Sequence, residues 1–92
     1  MEVMMLQGVL SAQEVGSIVR RQRVMAGMGD RVQLAVKAGV APEFLRAIEK
    51  GEMISSREIT DLDKIVEALG LNPESRRGLQ TLLRNVYGSP PS

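Results

Sequence analysis

The sequence predicts an all-α domain of five short helices. Capping signals recur along it: Ser11-Ala-Gln-Glu14, Asp30 with Gln33, Ser55-Ser-Arg-Glu58 and the pair Asn72-Pro73. Each joins a side chain that accepts from first-turn amides to a residue suited to that turn. Glycines stand where the helical patterns stop, at Gly27, Gly29, Gly39, Gly51 and Gly70. Between these signals apolar residues recur at three- and four-residue spacing, and no segment alternates convincingly with period two.

The first helix is expected over 12–26, with Val15, Ile18, Val19, Gln22 and Met25 on one face and Arg20, Arg21 and Arg23 leaving in different directions. The second is expected over 31–38, with Leu34, Ala35 and Ala38 inward. The third, over 42–50, carries Pro42 in the first turn, where proline is tolerated, and buries Phe44, Leu45 and Ile48. The fourth, over 57–69, turns Ile59, Leu62, Ile65, Val66 and Leu69 to the core. The fifth, over 73–87, carries Leu79, Leu82, Leu83, Val86 and Tyr87 as one apolar stripe. Residues 1–10 form an apolar, acidic segment that either packs on its own domain or contacts a partner, and Met1, Met4 and Met5 leave the start codon open. The compact unit is expected over 11–71, followed by the carboxy-terminal helix 72–87 and a flexible tail, 88–92.

Composition narrows the function. A chain of 92 residues makes one domain, and 43% apolar residues with charges of both signs is ordinary for a globular protein. Without cysteine there are no disulfides or thiolate metal sites. Without histidine the usual general base and commonest metal ligand are missing, so no catalytic residue, metal site or cofactor is expected. Asp61 and Asp63, two apart on a helix, point away from each other, and Ser11, Ser55 and Ser56 read as caps rather than nucleophiles. No apolar run is long enough for a bilayer, and no basic region precedes the apolar start as in a signal peptide; the expected location is cytoplasmic, with no membrane contact. A formal charge of only +1 means that any nucleic-acid binding rests on locally placed side chains. No Lys or Arg precedes Arg20, which excludes a basic minor-groove arm.

The most informative stretch is Leu34-Ala35, Ala38-Gly39-Val40, Phe44-Leu45 and Ile48-Glu49-Lys50-Gly51. One helix stops at Gly39, a short turn follows, and a second helix stops at Gly51. Together with Val15-Gly16, Val19-Arg20-x-x-Arg23 and Ala68-Leu69-Gly70-Leu71, this order resembles the phage-repressor/Cro-type (XRE) helix-turn-helix family over residues 13–71. The resemblance implies a lambda-repressor-like fold. It further implies a repressor-like, DNA-binding transcription regulator, acting as a homodimer on a palindromic operator in double-stranded DNA.

Roles follow from the resemblance residue by residue. Arg23 is expected to pair with Glu49 as a structural ion pair. Arg31, first in the second helix, together with Lys50 and Arg57, would contact phosphates. The base-reading positions fall on Ala41, Pro42, Glu43 and Ala47, with Arg46 between them. Only Arg46 has the donor fork that suits guanine, although Glu43 could accept from a cytosine amino group. The chain departs from the family in its longer loop around Gly27-Met28-Gly29 and in a neutral recognition region. Arg31, Lys37, Arg46, Lys50 and Arg57 are balanced there by Asp30, Glu43, Glu49, Glu52 and Glu58. The fifth helix and the amino-terminal segment are the candidate dimer surfaces. The alternative is a protein-interaction module that offers Phe44, Leu45 and the Met-rich loop to a partner, as a toxin-paired antitoxin or an adaptor with weak DNA binding would.

Overall fold

The computed structural model describes residues 10–88; expectations for residues 1–9 and 89–92 lie outside the described residues. Five α-helices follow in order: α1 (Ala12–Met25), α2 (Arg31–Ala38), α3 (Pro42–Lys50), α4 (Ile59–Ala68) and α5 (Pro73–Tyr87). A 3-10 turn at Ser56–Glu58 leads into α4, and no strand occurs among the described residues. The fold class is all-α, as the capping signals predict.

Those signals operate in atomic detail. The Glu14 amide donates to the Ser11 hydroxyl (3.1 Å) while the Ser11 amide donates to the Glu14 carboxylate (2.7 Å). Asp30 and Gln33 exchange the same kind of bonds at the start of α2. Asn72 accepts from the Ser75 amide (2.8 Å), and Pro73 follows it in the first turn. Each cap satisfies amides that would otherwise lack partners at a helix start, an effect worth about 1 kcal/mol apiece.

Four expectations are corrected. The first turn of the fourth helix winds as a 3-10 turn, so α4 starts at Ile59. The Ser55 amide and hydroxyl both donate to the Glu58 carboxylate (2.9 and 3.2 Å), and the Glu58 amide donates to the Ser55 carbonyl (3.0 Å). That i to i+3 closure tightens the turn. Ser55 is therefore the capping residue; Ser56 is the exposed first residue of the turn. Met25, expected on the inner face of α1, is 71% exposed, because the buried positions run Val15, Val19, Arg23 at four-residue steps. Phe44 and Leu45 belong to the core and offer nothing to a partner.

A single core gathers Val15 and Val19 of α1, Leu34 of α2, Phe44, Leu45 and Ile48 of α3, Ile59, Leu62, Ile65 and Val66 of α4, and Leu79 and Leu83 of α5. α1 packs on α3, α2 packs on α3 and α4, and α5 closes the bundle against α4 and α1. The apolar stripe of α5 is thus engaged at home: Leu79 and Leu83 are buried, and Leu82, Val86 and Tyr87 pack partly buried on the same core. The Tyr87 hydroxyl donates to the Glu52 carbonyl (3.4 Å), fastening the end of α5 to the loop after α3, and burial raises its pKa.

The α1–α3 crossing depends on Gly16. A Cβ there would lie 2.7 Å from the Glu49 carbonyl oxygen and still closer to that of Ile48. These are backbone atoms at the end of α3, so relief requires moving the helix. Gly16→Ala is expected to cost at least about 2 kcal/mol by denaturant unfolding. Gly78→Ala, in open space on α5, should instead stabilise by up to about 1 kcal/mol. Equal effects at the two positions would contradict the close crossing.

Candidate nucleic-acid interface

α2 and α3 are joined by a turn at 39–41 in which Gly39 takes a left-handed conformation (φ 75°). The Gly39 and Val40 amides both donate to the Ala35 carbonyl (2.9 and 3.0 Å), closing α2 so that the chain leaves at once for α3. α3 ends in the same way at Gly51 (φ 78°), which also lies hard against Gln13 of α1. A short helix held at both ends by its neighbours has little freedom to roll.

Its orientation is fixed further by Glu49. This carboxylate is 1% exposed and accepts from two arginines. Arg23 of α1 grips it with two donors, Nε at 2.7 Å and Nη2 at 3.1 Å. Arg31, at the start of α2, adds Nε at 3.0 Å. The remaining Arg23 nitrogen donates to the Met28 carbonyl (2.9 Å), fastening the loop 26–30. The expected Arg23–Glu49 pair is therefore present, and one carboxylate ties α1, α2, α3 and the intervening loop together. Among the described residues no buried side-chain nitrogen or oxygen lacks a partner.

Arg31, assigned to phosphate from the resemblance, is thus also a partner of Glu49, with its side chain still 35% exposed. Sequence reasoning missed that link because eighteen residues separate the pair, and no local spacing signals it. Two guanidiniums face one buried carboxylate near the start of α2, and the Asp30 cap beside them balances the remaining charge against the positive end of the helix dipole.

The outer face of α3 carries the remaining candidates. Ala41, Pro42, Glu43 and Lys50 are exposed, and Arg46 and Ala47 are half-buried. Arg46 Nε donates to the Glu43 carboxylate one turn earlier (2.9 Å). That hydrogen bond and the charge of Glu43, with Glu52 beyond, raise the Arg46 pKa against a smaller opposing effect of burial. Arg57 lies exposed in the 3-10 turn, and neither its guanidinium nor the Lys50 ammonium has a partner among the described residues. The sequence also gave no warning of Val32 and Val36, 48% and 74% exposed on the outer side of α2.

Elsewhere three acidic residues are engaged in surface pairs: Asp61 with Lys64, Asp63 with Arg84, and Glu67 with Arg76. Among the described residues no three potential ligands cluster to hold a metal, and no helix is long and apolar enough to cross a membrane. No family model, no curated protein and no solved structure matches the chain.

The network makes unequal predictions for its members. Glu49→Ala strands two guanidiniums, one of them buried, and should cost about 3–5 kcal/mol. Arg31→Ala leaves Glu49 gripped by Arg23 and should cost no more than about 1 kcal/mol, since Arg31 is one-third exposed. Unfolding curves for the two variants check the order; equal losses would mean that Arg31 is as integral as Arg23.

Proposed function

We propose that this protein is a DNA-binding regulator of the helix-turn-helix type, with a lambda-repressor-like arrangement of its five helices, in which α3 enters the major groove. The observation that carries the reading is the anchoring of α3. Its inner face is fixed by Phe44, Leu45, Ile48 and the buried Glu49, while Pro42, Glu43, Arg46 and Lys50 are turned outward on a rigid frame. A protruding helix with its axis fixed by a neighbouring helix is what reading a groove requires. Arg31, Lys50 and Arg57 lie at the two ends of α2–turn–α3 and in the turn beyond it, where they would meet phosphates on either side of the groove.

Affinity then leans on few charges. A recognition region with balanced charge and a whole-chain charge of +1 favours modest affinity per protomer, which pairing of two protomers on a palindromic site would multiply. The α5 stripe is largely engaged by the chain's own core, so a homodimer would use other surfaces or the remaining edge of α5. The exposed Val32 and Val36 favour a second reading, a protein-interaction module that buries this face of α2 against a partner.

Selection from a random duplex pool, followed by titration at two salt concentrations, tests the proposal. Expected are an enriched site and a log–log salt slope that falls by about 0.9 for each phosphate contact removed. Lys50→Ala and Arg57→Ala should weaken binding to all sequences alike while melting like the parent protein. No enrichment, with low-salt binding unchanged in Lys50→Ala, Arg57→Ala and Arg31→Ala, would overturn the DNA reading in favour of the interaction module.

A further inference from the structure

We infer that Glu43 and Arg46 act as one reader, recognising a single G·C base pair through both of its bases; this rests on the DNA reading above. The two side chains lie one turn apart on the outward face of α3 and are joined by the 2.9 Å bond from Arg46 Nε to Glu43 Oε1. That bond uses only one edge of the guanidinium. The two Nη groups remain as donors, and the second carboxylate oxygen remains as an acceptor, so the pair presents donors and an acceptor side by side.

The major-groove edge of a G·C pair has the complementary order. Guanine offers two acceptors, N7 and O6, and the cytosine amino group beside them is a donor. Arg46 would take the guanine edge and Glu43 the cytosine amino group. An A·T pair sets a donor between two acceptors, so it mismatches the carboxylate and the guanidinium together. The pairing also resolves an electrostatic difficulty. Glu43 is 79% exposed on the proposed DNA-facing helix, where a lone carboxylate would be repelled by phosphates. With Arg46 bound to it the unit is neutral, and its contribution is selectivity rather than affinity. An exposed pair at this spacing adds little to stability, so both residues can be replaced without loss of the fold.

The test is duplex selection with the parent protein, Glu43→Ala, Arg46→Ala and the double variant, with melting curves for each. The parent protein should select G·C at one position of each half-site. Each single variant should lose about ten- to a hundredfold of the discrimination at that same position, and the double variant little more. Unchanged base preference in Glu43→Ala, with equal or tighter binding, would reduce Glu43 to a surface partner and overturn the inference while leaving DNA reading intact. Relaxation at two different base pairs would overturn the single-pair reading in the same way. If the parent protein enriches no duplex, the function and this inference fall together.

Discussion

A single buried carboxylate organises this domain. Glu49 sits near the end of α3 with its side chain 1% exposed, held by Arg23 from α1 and Arg31 from α2. Burying an ion pair brings little net stability, because desolvation offsets most of the attraction. Its directional bonds contribute a defined relation between elements. Three helices and the loop before α2 meet at this carboxylate, so the roll of α3 about its axis is set by hydrogen bonds and not by apolar contacts alone. Apolar cores tolerate small slippage between helices, and a bidentate arginine does not.

The same constraint explains the close crossing at Gly16. With the end of α3 drawn toward α1 by Arg23, the backbone carbonyls of Ile48 and Glu49 come where a side chain on α1 would stand. Gly51 meets Gln13 for the same reason. Sealing one face of α3 so closely leaves the other as the only face available to a ligand. Its outward residues carry little net charge: Glu43 is matched by Arg46, and Lys50 alone adds a positive charge unpaired among the described residues. A rigid, nearly neutral face suits selectivity better than strong non-specific attraction, and it assigns most of any affinity to the flanking cations.

Much of this was readable from the sequence, for local reasons. Ser11 with Glu14, Asp30 with Gln33, and Asn72 with Pro73 announce helix starts through contacts within one turn, and the structure makes each of them. Where local signals compete, the reading was less exact. Ser55 with Glu58 caps a turn that winds as 3-10, and Met25 fits an apolar period that Arg23 displaces. The Arg23–Glu49 pair came from resemblance, since twenty-six residues separate its members. Arg31 joining it was not readable at all, because the link exists only once α2 and α3 have packed. The Glu43–Arg46 bond, at a spacing of three, is of the kind that local spacing can signal, since opposite charges three apart share one helix face.

The most direct test of a frame built on Glu49 with a DNA-facing outer surface is the behaviour of individual arginine Nε–H groups in nitrogen-edited NMR. In the free protein, Arg23 should show slow solvent exchange, Arg31 intermediate exchange, and Arg84 fast exchange, in the order of their burial. Addition of the selected duplex should shift Arg31 and Arg46 and leave Arg23 where it was. Fast exchange at Arg23 in the free protein, or a duplex that moves Arg23 as far as Arg46, would contradict a fixed frame carrying the binding face.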